Sequence, residues 1–193
     1  KNQYHLLEKA GIRLPKIFKS SAEIDRLVMV KVSEAARGYE RAFFTAASAK
    51  DFEAKASELI SKKIITEEGL KKAVIEEFIL GAQVNFNFFY SPFADEVELL
   101  GTDTRRQTNL DGLLRMPART QLMLPESWQP KMIETGHSAV TVKESLLEKI
   151  FDMGERFIKA TKAEWGAPLI GPFALQGAVT AEDGKEDIVI FDV

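Results

Sequence analysis

The chain has 193 residues, of which 45% are hydrophobic and 28% charged, and its formal net charge is −3. This composition is typical of a globular protein, and the charge gives no reason to expect a nucleic-acid or acidic-membrane partner. Cysteine is absent, which excludes disulfides, thiolate catalysis, iron–sulfur clusters and most structural zinc sites. That absence fits a reducing, intracellular location, and we expect a cytoplasmic protein. Because the chain starts at Lys1 and stops at Val193 within an apolar run, we also expect it to be part of a longer protein.

The first half of the chain predicts short helices and strands in alternation. Apolar residues at helical spacing precede Gly11, a usual helix stop, and β-branched runs indicate strands. In chain order, the predicted elements are a helix ending at Gly11, an extended stretch 15–18, strands 27–32 and 39–46 joined by a loop 33–38, a helix from Ser48 to about Lys62, and a strand 74–80 ending at Gly81.

The second half predicts a long helix between two groups of strands. Its predicted elements are strands 84–90 and 96–104, a polar loop 105–112, a helix from Thr141 to Gly166, and strands 170–179 and 187–193 around a turn 182–185. No internal repeat is visible, and the elements do not follow a steady βαβ rhythm. The predicted fold class is therefore α+β.

Lys31 stands at the end of a predicted buried strand and is followed by Arg37-Gly38-Tyr39. A lysine aimed from a sheet toward a loop can hold phosphate oxygens, with backbone N–H groups near a glycine as further donors. The alternative is a strand-end lysine that reaches solvent. No Walker motif is present, so the pattern excludes a P-loop nucleotide site.

Glu76 and Glu77 lie within the apolar run 75–80. Burying both carboxylates is unfavourable unless each has a partner. Side chains alternate across a strand, so one of the two can face solvent while the other faces inward to accept hydrogen bonds from a ribose or an adenine amino group. The alternative is a strand with one solvated face.

Gln176 and Asp192 belong to the last two predicted strands. A hairpin centred on Gly184 places them opposite one another, with Cβ atoms roughly 5 Å apart. An amide oxygen beside a carboxylate is half of a site for Mg²⁺, which also takes phosphate and water ligands. A shift of one residue would put them on opposite faces, and an Asp–Gln hydrogen bond is the other interpretation.

The polar segment 105–112 carries Arg105 and Arg106 and is followed by Arg115. Its arginines and amides suit a phosphorylated ligand, although a solvated loop is the commoner explanation. His137 and His5 are the two histidines of the chain. Nothing in the sequence recommends them as a metal-binding pair.

Several strings together resemble the family of archaeal-type, formate-dependent FAICAR synthetases, which belongs to the ATP-grasp superfamily. The resemblance runs from Leu6 to Val193, and it rests on the order and spacing of the strings. These are Glu8-Lys9-Ala10-Gly11-Ile12-Arg13-Leu14-Pro15, Ile75-Glu76-Glu77-Phe78, Phe89-Tyr90-Ser91-Pro92, Asp95-Glu96-Val97-Glu98-Leu99-Leu100-Gly101, Asn109-Leu110-Asp111-Gly112, Glu144-Ser145-Leu146-Leu147 and Ile170-Gly171-Pro172-Phe173.

The resemblance implies an ATP-grasp fold, with two α+β lobes whose antiparallel sheets clasp ATP. Residues 1–26 would be an entry helix and a connection from an amino-terminal lobe. Residues 27–80 would form the smaller lid, and residues 81–193 most of the larger lobe.

The implied reaction is ATP- and formate-dependent formylation of aminoimidazole carboxamide ribonucleotide (AICAR) to FAICAR in purine (IMP) biosynthesis, through formyl phosphate. The implied partners are these small molecules and further copies of the chain, with no nucleic acid or membrane. The implied metal is Mg²⁺, with Mn²⁺ as the alternative. No catalytic side chain is assigned, since positioning and electrostatics suffice. The implied contacts are ATP with Lys31, Glu76, Glu77, Phe78 and Gln107, substrate with Asn109 and His137, and metal with Gln176 and Asp192.

The chain also departs from the family pattern. Glu34 lies in a loop that is glycine-rich in the family, Gln107 replaces a glutamate, His137 replaces an asparagine, and Asp192 is the shorter carboxylate. These departures leave three hypotheses: an active FAICAR synthetase, an ATP-grasp paralogue with another small substrate, and a nucleotide-binding paralogue without turnover. Gln107 distinguishes the first from the third, and His137 the first from the second.

Overall fold

The computed structural model describes residues 3–32, 42–125, 134–182 and 184–193. In this part of the chain the α-helices are α1 (Gln3–Lys9), α2 (Ala49–Ser61), α3 (Glu67–Lys71), α4 (Thr108–Leu114), α5 (Ala118–Gln121) and α6 (Leu147–Trp165). The strands are β1 (Ile17–Phe18), β2 (Val28–Lys31), β3 (Phe43–Ala46), β4 (Val74–Glu77), β5 (Ala82–Ser91), β6 (Glu96–Gln107), β7 (Glu134–Ala139), β8 (Gly171–Glu182) and β9 (Lys185–Asp192). Single 3₁₀ turns lie at Ser21–Glu23 and Glu144–Leu146.

The chain divides into two compact units. The first unit comprises Lys1–Pro15, Ile79–Thr104 and His137–Val193, and the second comprises Lys16–Phe78 and Arg105–Gly136. The predicted division into entry segment, lid and larger lobe concerns the lobes of the family and stays a prediction.

The second unit contains an antiparallel sheet with the strand order β1-β4-β2-β3. One face of this sheet is apolar, because Val28 and Val30 on β2 and Ile75 on β4 point to the same side and are buried. Helix α2 covers this face. Phe44 and Phe52 meet there, with ring centroids 5.5 Å apart.

The first unit is built on a sheet with the strand order β7-β6-β5-β8-β9. Its core lies on one face, against α1 and α6. Phe88 of β5 and Phe157 of α6 each stack on Phe173 of β8, with ring centroids 5.1 and 5.6 Å away. The approach of α6 requires a glycine, because a Cβ atom on Gly154 would lie 2.8 Å from Cε1 of Phe88.

The outer edge of β9 is covered by the segment that follows α1. The backbone N–H of Ile190 donates to the carbonyl of Arg13 over 2.9 Å. The side chain of Arg13 also pairs with Asp187, at 2.7 Å between Nη1 and Oδ2. Lys149 of α6 contacts the other oxygen of this carboxylate, so Asp187 links three segments of the first unit.

Most of the predicted elements are confirmed within a few residues. The helix after Ser48 is α2, and it is capped by the Ser48 hydroxyl, which accepts a hydrogen bond from the N–H of Asp51. The end of α6 is also correct, since Gly166 has φ of 75° in the left-handed region that glycine favours. The predicted strand 39–46 is observed from Phe43 onward, and residues 39–41 and the loop 33–38 lie outside the described residues.

Three predicted boundaries are wrong. The strand 74–80 ends at Glu77, although the N–H of Phe78 still donates to the carbonyl of Leu27. The helix predicted from Thr141 begins later, since Val140 is held extended beside β6 by a 3.1 Å hydrogen bond to the Thr102 carbonyl. The predicted polar loop 105–112 is instead the end of β6 and the start of α4.

Among the described residues, no helix combines the length and the apolar character needed to cross a membrane.

Candidate functional site

A row of polar side chains crosses the face of the five-stranded sheet that is turned away from the core. Asn85 of β5 lies directly opposite Asp103 of β6 on one side and Gln176 of β8 on the other. Gln176 in turn lies opposite Asp192 of β9. The neighbouring residues Phe86 and Leu175 point to the other face and are fully buried. Since adjacent strands are about 4.8 Å apart, the row spans roughly 14 Å.

Two single-residue bulges place the acids in this row. In β6, Leu100 is the extra residue, because Phe88 pairs with Leu99 whereas Asn87 pairs with Gly101. In β9, the extra residue is Phe191. A bulge shifts the register by one, which moves every later side chain to the other face. Without the bulges, Asn85 and Gln176 would face Thr102 and Phe191 and not Asp103 and Asp192.

Gly177 makes the second bulge sterically possible. A Cβ atom on this residue would lie 2.3 Å from the carbonyl oxygen of Val189 and 2.8 Å from Cδ1 of Ile190. Distances under 3.0 Å cannot be accommodated without movement of the backbone of β9. The close approach of β8 and β9 beside Gln176 therefore depends on the missing side chain.

At the other end of the row, Asp103 accepts hydrogen bonds from three side chains. Asn85 donates its Nδ2 to Oδ1 over 2.8 Å, and Asn87 donates its Nδ2 to Oδ2 over 2.5 Å. Nδ1 of His137, on β7, lies 2.5 Å from the same Oδ1. Asn85 is buried, whereas the His137 side chain is 42% exposed. The cluster thus joins a buried amide to a partly exposed histidine.

These contacts determine the charge of Asp103. Burial of the carboxyl group works to raise its pKa, but the hydrogen bonds from His137, Asn85 and Asn87 outweigh burial and hold the pKa below its ordinary value. Asp103 is therefore an ionised acceptor at neutral pH.

Gln176 and Asp192 fit Mg²⁺ as two members of a larger ligand set. An amide oxygen and a carboxylate are the hard oxygen donors that this ion prefers, and Mg²⁺ often takes one or two protein ligands together with substrate phosphates and water. Both side chains are half-buried and lie on the same face. The described residues contain no group of three or more His, Cys, Asp or Glu side chains that could hold a metal. A divalent ion held by this pair would thus need further ligands beyond these two side chains.

In the second unit, Lys31 and Glu76 form an ion pair. Nζ of Lys31 lies 2.6 Å from Oε1 of Glu76, and the two side chains are 19% and 4% exposed. They reach each other diagonally, because Lys31 pairs with Val74 and Glu76 with Met29. Of the two acids, Glu76 is the buried one, and its carboxylate fixes the direction of the lysine ammonium group, whereas the side chain of Glu77 is 25% exposed.

Glu77 and Phe78 make structural contacts beside this pair. Glu77 accepts hydrogen bonds from Arg26 at 3.0 Å and from the backbone N–H of Lys16 at 3.3 Å. The N–H of Phe78 donates to the Leu27 carbonyl over 3.0 Å. A contact between Phe78 and an adenine base would accordingly use the Phe78 carbonyl oxygen.

The segment predicted as a polar loop positions two candidate residues through regular structure. Gln107 ends β6 and is the N-cap of α4, and its backbone N–H donates to the carboxylate of Asp111. Asn109 lies in the first turn of α4, and its side chain is outside the described part of the structure. Arg105 pairs with Glu134 of β7, with 3.3 Å between Nε and Oε2. Because its guanidinium group is engaged in this ion pair, the geometry does not favour Arg105 as a ligand for phosphate.

Sequence reasoning missed Asn85, Asn87 and Asp103. The two asparagines alternate with Val84, Phe86 and Phe88 on β5, and this period of two signals a polar face opposite the core. The bulge that brings Asp103 to them has no local signal beyond Gly101, whose φ is 154°. The predicted phosphate-binding residues Arg37-Gly38-Tyr39 lie outside the described residues.

Comparison with known protein families gives a match over most of the chain. Residues 51–193 match the family described as "Domain of unknown function (DUF1297)". The chain is also 42% identical over 188 residues to a protein of Methanocaldococcus jannaschii named 5-formaminoimidazole-4-carboxamide-1-(beta)-D-ribofuranosyl 5'-monophosphate synthetase. This match covers 97% of the chain and 50% of the relative, so the chain spans about half the length of the curated relatives it matches.

Solved structures of ATP-grasp enzymes share the fold. An IMP biosynthesis protein, PurP, from Thermococcus kodakaraensis is 27% identical, with a TM-score of 0.60 over 97% of this chain and 50% of that one. A carboxyaminoimidazole ribonucleotide synthase from Aspergillus clavatus, solved in complex with ATP, is 14% identical, with a TM-score of 0.57 over 97% of this chain and 42% of that one. The predicted α+β ATP-grasp fold is confirmed, as is the resemblance read from the sequence.

Proposed function

The chain belongs to the family described as Domain of unknown function (DUF1297), and from this premise we propose that the protein is an ATP-dependent carbon–nitrogen ligase that formylates AICAR to FAICAR. The observation that carries the proposal is the polar row, which brings the Gln176–Asp192 pair and His137 to one face of one sheet. The name of the relatives that are about 40% identical gives the formylated ribonucleotide as the product, and AICAR is the same ribonucleotide without its formyl group.

The proposed reaction has two steps. A formate oxygen attacks the γ-phosphorus of ATP, the bond to the bridging oxygen breaks, and ADP leaves. The amine of AICAR then attacks the carbonyl carbon of formyl phosphate, the bond to phosphate breaks, and the amine loses its proton. Neither step needs a covalent bond to the protein, so the side chains act by positioning the reactants and by balancing charge.

We propose that Lys31 binds the phosphates of ATP. The ammonium group of Lys31 donates to the buried carboxylate of Glu76. This bond holds the lysine in one direction and so prepares it to meet phosphate oxygens. Glu77, Phe78 and Gln107 are proposed for the adenosine part of ATP, and Asn109 and His137 for the ribonucleotide. These assignments remain predictions.

We propose that Mg²⁺, or Mn²⁺, is bound by Gln176 and Asp192. The ion supplies positive charge to the transferring phosphoryl group. Its protein ligands are held by the β8–β9 ladder, which sets their separation before nucleotide arrives.

A paralogue with another substrate is the second candidate. His137 is the observation that favours it, because an imidazole held by Asp103 differs in shape and hydrogen bonding from the asparagine of the family. The third candidate is a paralogue that binds nucleotide without turnover. It is suggested by Gln107, which replaces a glutamate of the family pattern. Homo-oligomerisation and a cytoplasmic location are also predictions.

Calorimetric titration of the protein with ATP and Mg²⁺, with and without AICAR, tests these candidates. Binding of both ligands, followed by formate-dependent turnover, is the expected result. Binding of ATP alone would favour the paralogue with a different substrate. Binding of neither ligand would contradict the proposed function.

A further inference from the structure

The end of β9 is held by a side chain from the beginning of the described chain. Strand β9 ends at Asp192, and the next backbone N–H group, that of Val193, donates to Oε1 of Gln3 over 3.1 Å. Gln3 is the first residue of α1 and is half-buried. The helix therefore binds the backbone directly beside one of the two proposed metal ligands.

The same N–H group of Val193 also contacts the carboxylate of Asp192. It lies 3.2 Å from Oδ1 of Asp192, so Gln3 and Asp192 share one backbone hydrogen. The peptide group that carries this hydrogen links Asp192 to Val193. Its direction consequently influences the direction of the Asp192 carboxylate, and Gln3 fixes the peptide from the other side.

This part of the sheet has little other support. Asp192 and Gln176 form the last residue pair of the β8–β9 ladder, and the bulge at Phe191 separates them from the regular pairs. Strand ends open more readily than strand centres, because neighbouring pairs support them from one side only. The preceding contact to the amino-terminal segment is the 2.9 Å bond from the Ile190 N–H to the carbonyl of Arg13.

Helix α1 is a fixed base for the Gln3 side chain. Leu7 of this helix is fully buried in the core of the first unit. Just beyond the helix, Nη1 of Arg156 donates to the carbonyls of Ala10 and Gly11, at 2.7 Å in each case. These contacts do not involve Gln3, so α1 should stay docked when the Gln3 amide is removed.

We propose that Gln3 is a positioning residue for the Mg²⁺ ligand Asp192. Its amide oxygen holds the Val193 N–H and thereby fixes the peptide that orients the Asp192 carboxylate before the ion binds. The role toward the metal rests on the proposed function, whereas the hold on the strand end does not.

The ion requirement makes such positioning useful. Mg²⁺ demands near-ideal octahedral geometry, whereas Ca²⁺ accepts a flexible arrangement of six to eight oxygen ligands. A carboxylate that can turn away should consequently weaken a site for Mg²⁺ more than a site for Ca²⁺. The loss of Gln3 should therefore reduce the preference for Mg²⁺ over Ca²⁺ and not merely the stability of the fold.

Amide hydrogen exchange of the full-length, ligand-free protein tests the contact itself. Gln3→Met keeps the approximate size of the side chain and removes the acceptor, so exchange at Val193 should become faster. Exchange at Ile190 should not change, because its N–H is bound to Arg13. Unchanged exchange at Val193 would overturn the proposal. If Gln3→Met fails to fold, Gln3→Ser, which is too short to reach, replaces it with the same expectation.

Calorimetric titration with ATP in the presence of Mg²⁺ or Ca²⁺ tests the role toward the metal. Gln3→Met should weaken Mg²⁺-dependent ATP binding about two- to tenfold, the range expected for one lost hydrogen bond, and should weaken Ca²⁺-dependent binding less. Gln3→Glu keeps an acceptor oxygen and should retain the affinity and the preference for Mg²⁺. Equal losses in Gln3→Met and Gln3→Glu, or no loss in either, would overturn the positioning role.

Lys9→Met is the matched control on the same helix. The Lys9 ammonium group contacts Glu164 of α6, so this variant disturbs the docking of α1 away from β9. It should leave the Mg²⁺-dependent affinity unchanged, and a loss as large as that of Gln3→Met would assign the effect to helix docking. If the unchanged protein shows no Mg²⁺-dependent ATP binding, the proposed function fails together with the metal role of Gln3. The exchange rate of Val193 would then still decide whether Gln3 holds the strand end.

Discussion

Asp192 lies opposite Gln176 because β9 contains one extra residue, Phe191, beside Gly177. The bulge turns the carboxylate to the face that carries Asn85 and Asp103 and away from the core that Ile190 enters. The proposed metal ligands Gln176 and Asp192 thereby share one surface of the sheet with Asn85 and Asp103.

Asp192→Asn should abolish Mg²⁺-dependent ATP binding, because it removes the one negative charge of the proposed metal pair while keeping the size of the side chain. Calorimetry with ATP and Mg²⁺ measures the effect. Glu186→Gln is the control, since Glu186 lies on the same strand and pairs with Lys143 at 2.7 Å. Nucleotide affinity that is unchanged in Asp192→Asn would remove this residue from the metal site.

Gly177→Ala should disturb the register that holds Gln176 opposite Asp192 and so weaken Mg²⁺-dependent nucleotide binding. Gly81→Ala provides a matched clash, because its Cβ atom would lie 2.5 Å from the carbonyl oxygen of Val179, on the other side of β8, where that strand pairs with β5 and not with β9. Both variants should be less stable by about 1–3 kcal/mol. Only Gly177→Ala should lose metal-dependent binding at a temperature where both are folded, and equal binding losses would argue against a local effect.

Lys31→Met should lower both stability and ATP affinity. It takes a cation from a carboxylate that is 4% exposed, and removal of one partner of a buried pair destabilises a protein by about 3–5 kcal/mol. Glu76→Gln keeps an acceptor for Lys31 and should cost less stability. Urea unfolding and ATP titration of both variants check this expectation. If Lys31→Met binds ATP with normal affinity, its assignment to the phosphates is wrong.

Gly154→Ala should destabilise the first unit although alanine is the better helix former. The added methyl group would meet Phe88 and Val97 at 2.8 and 3.1 Å, and Phe88 is fully buried. We expect a loss of about 1–3 kcal/mol. Gly112→Ala, in a helix where a Cβ atom meets nothing within 4 Å, should instead raise stability by up to about 1 kcal/mol. The unfolding temperature should thus fall in Gly154→Ala and rise in Gly112→Ala.

Asp187 should make the first unit sensitive to acid. Burial works to raise its pKa, but hydrogen bonds from Lys149, Arg13 and the Ile188 N–H outweigh burial and lower the pKa to about 2. A lowered pKa gives stability that is full above the unfolded value of 3.8 and is lost as the pH falls toward 2. The shift of nearly two units corresponds to about 2 kcal/mol.

Asp187→Asn should therefore lower the free energy of unfolding at pH 7 and flatten its fall between pH 4 and pH 2. Urea unfolding at a series of pH values measures both effects. Asp152→Asn is the control, since Asp152 pairs with Arg156 within one helix and is 59% exposed. If the free energy of unfolding falls equally steeply between pH 4 and pH 2 in Asp187→Asn and in the unchanged protein, another group is responsible for the acid sensitivity.

Local patterns predict those parts of the fold that depend on neighbours in sequence. The capping by Ser48 and the left-handed Gly166 are of this kind. The pairing of Gln176 with Asp192 was predicted from a hairpin centred on Gly184 and is correct, but for a different reason. Glu182 pairs with Lys185, which centres the turn half a residue earlier, and the bulge restores the predicted pair.

Contacts between distant strands were not predictable in this way. The sequence predicts Arg105 in a polar loop, whereas in the structure it belongs to the end of β6, beside β7 and its Glu134. The hydrogen bonds of Asp103 likewise depend on an extra residue in β6 and on His137, which is 34 residues away along the chain. Neither the bulge in β6 nor the pairing of β6 with β7 produces a periodic pattern in the sequence of these strands.

The covered edge of β9 has a consequence for the handling of the protein. The outer residues of a sheet present unpaired N–H and C=O groups that can recruit a strand from another molecule. Here the backbone around Arg13 occupies that position beside Ile190, within a run that also contains Ile188 and Val189. Removal of the first fifteen residues would uncover a β-branched strand with a free hydrogen-bonding edge. Such a shortened protein should form intermolecular sheet and aggregate, even though every residue proposed to touch a ligand would still be present.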